Sequence, residues 1–211
     1  MKASHSNRRH TLLALSLAAL LAGLHAGAAA QQPELLQGVR QRLAQPAWLQ
    51  GQFEQSKQVQ GFKQPLRSQG EFVVARGRGV LWRTLRPFAS ELRLTSREII
   101  TSQGGQRVTQ VDVQQEPALR LVNSMMLALL AGDVTALDAQ FQVRGALRAE
   151  QGWILELTPR QEAWRQMLQS ITMQGDRLVR EVSLTEASGD ITKIRFTQLR
   201  ETAPDPVPKF D

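Results

Sequence analysis

The sequence predicts an α+β domain in which a curved antiparallel sheet carries two or three helices on one face. An amphipathic helical pattern opens the folded part, and a series of short alternating segments separated by Gly, Ser, Asp and Pro follows it. One apolar helical stretch interrupts that series midway. No strand–helix–strand alternation is visible, so the sheet is antiparallel and the helices gather to one side.

The N-terminus has a different character. Lys2, Arg8 and Arg9 precede an apolar and small-residue run from Leu12 to Leu24, and Ala28-Ala29-Ala30 follows. A basic region, an apolar core and small residues at the cut are the marks of a secretory signal peptide. The run is shorter than the roughly 20 residues a membrane span needs, and no cysteine stands at the cut to carry a lipid anchor. The expected division is residues 1–30 as a cleavable signal peptide and 31–211 as one domain, soluble in the periplasm.

Cleavage there removes three of the 26 Lys and Arg and none of the 19 Asp and Glu, leaving a net charge of +4. Mild positive charge favours approach to an anionic membrane surface or an acidic partner. The basic residues are scattered, with no dense block for nucleic acid. All three histidines, His5, His10 and His25, fall in the removed segment, and the chain has no cysteine. That excludes Ser-His-Asp and Cys-His nucleophiles, ordinary zinc sites, histidine-ligated haem and disulfides. The candidate carboxylates Glu54, Glu71 and Asp112 stand on different segments, at no spacing that shows a shared acid/base site. A non-enzymatic protein without metal or cofactor is expected.

Leu35, Leu36, Val39 and Leu43 recur at helical spacing, with Pro33 suited to a first turn and Pro46 to a stop, which predicts a helix over Glu34–Gln45. The period then changes to two: Leu49, Gly51 and Phe53; Phe72 and Val74; Val80, Trp82 and Thr84; Leu92 and Leu94. From Ala118 to Ala131 the pattern is helical again, carried by Leu121, Val122, Met125, Met126, Leu129 and Leu130 and ended by Gly132-Asp133. This stretch is apolar almost all round and serves either as a core helix or as a wall for something greasy. Its adjacent methionines, unbranched and polarizable, suit a variable ligand.

Strands resume at Phe141 and Val143, Trp153 to Leu157, Ile171 and Met173, Leu178 to Leu184, and Thr192 to Phe196. Gln174–Arg177 and Ala187–Asp190 have hairpin-turn composition. Gln161–Leu168, with Trp164 and Met167, predicts a short helix or an irregular crossing.

In this order the segments resemble the LolA-like periplasmic carriers of outer-membrane lipoproteins. The resemblance rests on Phe53-Glu54-Gln55 after the opening helix, Gly70-Glu71-Phe72, Ala75-Arg76-Gly77, Leu81-Trp82 and Pro87. Further along it rests on Leu129-Leu130-Ala131-Gly132-Asp133, Leu157-Thr158-Pro159 and the stretch from Leu178 to Phe196. It covers roughly Glu34 to Phe196.

The resemblance implies an unclosed β-barrel capped by helices, with an apolar interior for acyl chains. It implies a monomeric carrier taking lipoprotein or another lipid from an inner-membrane loading complex to an outer-membrane acceptor, with transient membrane contact. The alternative on the same scaffold is a periplasmic lipid-sensing or protein-interaction domain. The expected lipid-binding cavity is lined by Leu36, Val39, Leu43, Phe72, Trp82, Met125, Met126 and Leu129. The family's lid latch, an arginine bonded to backbone of the opening helix, maps to Arg76 and Leu43. On the residues alone, Arg76 and Arg78 equally suit solvated charge in a turn.

Overall fold

The computed structural model describes residues 27–113, 115, 123, 127, 133–134 and 137–210. Helix α1 (Gly27–Arg42) leads into β1 (Trp48–Gln58), β2 (Leu66–Ala75), β3 (Gly79–Arg86), β4 (Ser90–Thr95), β5 (Glu98–Gln103) and β6 (Gln106–Asp112). After a crossing segment come α2 (Leu137–Gln140), β7 (Phe141–Leu147), β8 (Trp153–Pro159), α3 (Glu162–Arg165), β9 (Leu168–Gly175), β10 (Val179–Glu186) and β11 (Ile191–Arg200). All eleven strands form one sheet in the order β6-β5-β4-β3-β2-β1-β11-β10-β9-β8-β7, and every pairing is antiparallel. Strands β6 and β7 are the two edges and do not pair with each other, so the sheet curves without closing.

Two elements differ from expectation. Helix α1 begins at Gly27, a turn and a half before Pro33; Ala28 to Ala30 are strong helix formers, and Pro33 falls inside the helix rather than opening it. Its end comes at Arg42, because a helical residue at Gln45 is disfavoured before Pro46. Strands β5 and β6 were not evident in the pattern. Adjacent Ile99 and Ile100 break the alternation in β5, and β6 is an edge strand exposed at nearly every position.

Period-two alternation sends Leu49, Phe53, Phe72, Val74, Val80, Trp82, Leu92 and Leu94 to one face, together with Phe196, Ile194, Val182, Met173, Ile171, Leu155, Leu157, Val143 and Phe141. This is the concave face. Against its β7–β9 half pack Val39 of α1 and Leu43 just after it, Val134 of the crossing, Leu137 of α2 and Trp164 of α3. A smaller cluster covers the convex side, where Phe210 of the C-terminal tail is buried on Ala75 and Leu81 beside Trp48 and Val73.

The bend has local causes. Register shifts interrupt the β1–β11, β2–β3, β5–β6 and β9–β10 ladders, and extra residues of this kind bend a strand and increase its twist. At the first, Gln198 takes a positive φ of 51°. Gly70 serves the curvature differently: it faces Phe53 across the β1–β2 ladder, and a Cβ there would collide with the Arg83 carbonyl and meet the Phe53 ring at 2.8 Å. Gly70→Ala should therefore destabilise the protein by about 2–4 kcal/mol, as overpacking against backbone does. Denaturant unfolding with an unchanged midpoint would show that the ring and strand have room to shift.

Candidate functional site

The centre of the concave face is aromatic. Phe53 on β1 pairs with Phe196 on β11 and Gly70 on β2, while Phe72 on β2 pairs with Trp82 on β3 and Gly51 on β1. Each phenylalanine thus has a glycine beside it, which leaves room for rings to lie along the sheet. Phe53 and Trp82 stack with centroids 3.9 Å apart and planes 25° apart. Phe196 meets Phe72 edge-on at 5.2 Å and Trp82 at 6.1 Å. Such geometries contribute about 0.5–1.5 kcal/mol per pair beyond area burial. Phe53 and Phe72 are buried, whereas Trp82 is only partly covered. Leu127 of the crossing segment packs on this cluster.

The second part of the face lies under α1. Val39 and Leu43 are buried and Leu36 half-buried against the β7–β9 cluster. Val179 and Val182 of β10 touch both this cluster and the aromatic one. The five expected cavity residues that are described therefore lie on one side of the sheet, in two adjoining groups: Leu36, Val39 and Leu43 in one, Phe72 and Trp82 in the other. Met125, Met126 and Leu129 lie outside the described residues. Within the same crossing, buried Asn123 donates from Nδ2 to the Thr95 carbonyl at 2.5 Å, and its Oδ1 has no partner among the described residues.

The contact between helix and sheet is made by another arginine than the one expected. Arg76 sits exposed in the β2–β3 turn, and only its backbone N–H reaches the exit of α1, donating to the Ala47 carbonyl at 3.0 Å. Among the described residues its guanidinium makes no hydrogen bond to α1, and the Leu43 N–H donates to Val39 within the helix. Gly77, directly after it, takes a positive φ of 77° in the turn. Arg78 lies 5.8 Å over the Trp48 ring. It is Arg42, in the last turn of α1, whose Nη1 donates to the carbonyls of Arg148 at 2.8 Å and Gly152 at 2.6 Å in the β7–β8 hairpin. The Ala44 N–H donates to Arg177 at 2.8 Å, and Gly38 lies against Leu147. No sequence pattern marks Arg42, because a basic residue in the last helical turn reads as ordinary dipole compensation.

Polar groups close one end of the concave face. Lys57 Nζ donates to Glu186 Oε1 at 2.6 Å and lies 3.7 Å from Asp190; the bond to Glu186, foremost, raises the Lys57 pKa above its ordinary value. On the opposite, convex face a polar depression of about 850 Å3 is lined by Glu54, Arg67, Arg86, Glu181, Lys193 and Arg195, among others. Among the described residues, no group of three or more His, Cys, Asp or Glu is placed to hold a metal, and no helix is long and apolar enough to cross a membrane.

An apolar, aromatic concave face on an open antiparallel sheet agrees with a family match. The family described as outer membrane lipoprotein carrier protein LolA matches residues 46–210. The chain belongs to the LolA family.

No curated protein matches this LolA-family chain. Among solved structures it is similar to a chain of the Pseudomonas aeruginosa MucA/MucB complex, at 20% identity and TM-score 0.47. That match covers 87% of this chain and 61% of the other, so this chain spans less than two thirds of its length. It is also similar to a LolA superfamily protein from Nitrosomonas europaea (8% identity, TM-score 0.42, 82% of this chain and 95% of that one). A third is the Mycobacterium tuberculosis lipoprotein LppX (9% identity, TM-score 0.42, 82% and 98%). LolA-family members are carriers or binding proteins rather than enzymes, and they work in the periplasm or envelope. Membership therefore supports a lipoprotein- or lipid-binding carrier or a related binding role.

The Arg42 bonds yield a test. Arg42→Met keeps the apolar stem and removes donors that contribute roughly 1.5–3 kcal/mol each when charged, less here for partial solvent exposure. Amide exchange over residues 33–43 should accelerate by about tenfold or more, while Arg76→Met leaves it unchanged. An equal effect of both variants, or of neither, would refute Arg42 as the residue that holds α1.

Proposed function

We propose that this LolA-family chain is a periplasmic carrier that holds acyl chains of lipoproteins, or of a related lipid, on its concave face beneath α1 and the crossing segment, and moves them from inner to outer membrane. The observation that carries the proposal is the partly exposed Trp82 on a floor of Phe53, Phe72 and Phe196. Aromatic surface in the centre of a sheet is normally covered completely. Here the described cover by α1 lies over the β7–β9 half, and an acyl chain along the aromatic half would remove apolar area from water.

A chain of about 14 to 16 methylenes at about 0.8 kcal/mol each yields roughly 11–13 kcal/mol before association and ordering costs. Micromolar binding or tighter is expected from what remains. Cargo that extends from the aromatic half to beneath α1 requires the helix to give way, and the Arg42 contacts then set the free energy that favours its return. A carrier without an energy source needs that gap to be a few kcal/mol, enough to close the empty protein and too little to exclude cargo.

Fluorescence separates this from a scaffold that binds only protein. Of the four tryptophans, Trp153 and Trp164 are buried and Trp48 lies on the convex side beside Phe210. A long-chain acyl probe at micromolar concentration should shift the emission and raise the thermal midpoint. Trp82→Phe should keep the midpoint rise and lose most of the emission change. Saturating probe that leaves both properties of the wild type unaltered would exclude the acyl site.

We also infer that residues 1–30 are removed on export. Intact mass of the protein recovered from the periplasm should correspond to a chain starting near Gln31; recovery of the uncut chain in the membrane fraction would contradict a soluble carrier.

A further inference from the structure

In an antiparallel meander the β1–β2, β3–β4 and β5–β6 turns all fall at the same end of the sheet. Alternate hairpins are about 10 Å apart, so the three tips span about 20 Å of one rim. Each tip carries both an exposed apolar residue and a basic one. Phe62 and Leu66 stand with Lys63 and Arg67 on the first, Leu85 and Phe88 with Arg86 on the second, and Val108 with Arg107 on the third. All five apolar residues are more than half exposed, Phe88 at 75%.

We propose that these three tips form a docking surface for an anionic phospholipid bilayer. The proposal extends the carrier function by stating how the protein meets a membrane, and its chemistry does not depend on what the concave face binds. Charge complementarity selects the occupant. Residues 58–67, 85–90 and 103–108 contain four basic residues and no acidic one, and none of the four takes part in an ion pair among the described residues. Most carboxylates near the tips are engaged: Glu91 bonds Arg83 Nε at 2.8 Å, Glu186 and Asp190 on the neighbouring β10–β11 turn are held by Lys57, and Glu181 lies 3.8 Å from Arg195; Glu54, further down β1, shares a convex depression with Arg67 and Arg86 and leaves the cationic excess of the tips in place. Apolar side chains of this kind insert at the boundary of headgroups and acyl chains while cations beside them remain with the phosphates. An apolar protein groove would accept the phenylalanines but leave the cations without partners. At the opposite end of the sheet the β2–β3 and β4–β5 turns carry Arg76, Arg78 and Arg97, yet no large apolar residue in those turns is exposed.

The test is co-sedimentation with vesicles of phosphatidylglycerol and phosphatidylethanolamine, and separately of phosphatidylcholine, at low and physiological salt. Protein is recovered from envelope fractions of cells expressing the full chain, and all variants share one N-terminus verified by mass. Wild type should bind the anionic vesicles, and salt or phosphatidylcholine should weaken it. Phe62→Ser with Phe88→Ser should reduce binding by about tenfold or more. Lys63→Gln, Arg67→Gln and Arg86→Gln together should reduce it by about 100-fold at low salt, since each charge is worth about fivefold. Val207→Ser, an exposed apolar residue on the C-terminal tail, should change nothing.

Acyl-probe binding and the thermal midpoint, measured on the same samples, should be preserved in every variant; their loss would indict the fold or the cavity rather than the rim. Equal vesicle binding by wild type and the Phe62/Phe88 variant, indifference to lipid charge, or an equal loss in Val207→Ser overturns the proposal. So does retention of an acidic protein by the tips of a wild type that ignores vesicles.

Discussion

The pairing of β1 with β11 makes the rest of the molecule possible. Strands β1 to β6 form one meander and β7 to β11 another, and only this ladder, from Gln50↔Arg200 to Gln58↔Ile191, joins them edge to edge. Its partners are about 140 residues apart in sequence, so it closes a long loop whose entropy must be met by dense packing. Phe53↔Phe196 lies in its middle and is buried. Once that seam is made, the strands that end the first meander and begin the second are the outermost of the sheet. The segment from 113 to 140 must then run from one edge to the other, and its described apolar residues Leu127, Val134 and Leu137 pack on the concave clusters.

A sheet curved in this way has an apolar inner face with more area than one helix can cover. Helix α1 covers the β7–β9 half, and of the described crossing residues Leu127 packs on the aromatic half. Burying that half permanently with fixed side chains would produce a more stable domain with no binding face. Under the proposed carrier function, the partly covered Trp82 is where stability is given up for a surface that apolar cargo would complete. The polar end at Lys57, Glu186 and Asp190 would limit how far such cargo extends along β1.

Much of this was legible in the sequence because alternation encodes which face a strand residue meets. Phe72 and Trp82 could be assigned to one face from period two, the antiparallel α+β class follows from the absence of strand–helix–strand units, and the open sheet was implied by the family resemblance. Helix α1 was legible from Leu35, Leu36, Val39 and Leu43. Strand β6 was not, because an exposed edge strand has no buried face and so no pattern. The contact holding α1 was also hidden. Arg76 drew attention by its place in a family pattern, but hydrogen bonding to backbone carbonyls depends on which segments tertiary packing brings together, and among the described residues the exposed Arg76 guanidinium makes no bond to α1. Arg42 acquires its partners, the Arg148 and Gly152 carbonyls, only when the β7–β8 hairpin folds against the helix end.

The placement of those contacts bears on how the helix can move. Arg42, Ala44 and Gly38 tie α1 to the β7–β8 hairpin and the β9–β10 turn, which form the far edge of the sheet from the aromatic floor. A helix fastened at its C-terminal end and along one edge leaves β1–β3 free while Val39 and Leu43 stay in the β7–β9 cluster. The Trp82 side therefore takes no part in the contacts that hold the helix, and the core that defines the fold does not depend on it. Strong attachment on one side and loose cover on the other give two arrangements that differ by a few contacts. A binding protein that must both hold and surrender an apolar chain needs that separation between what stays packed and what opens.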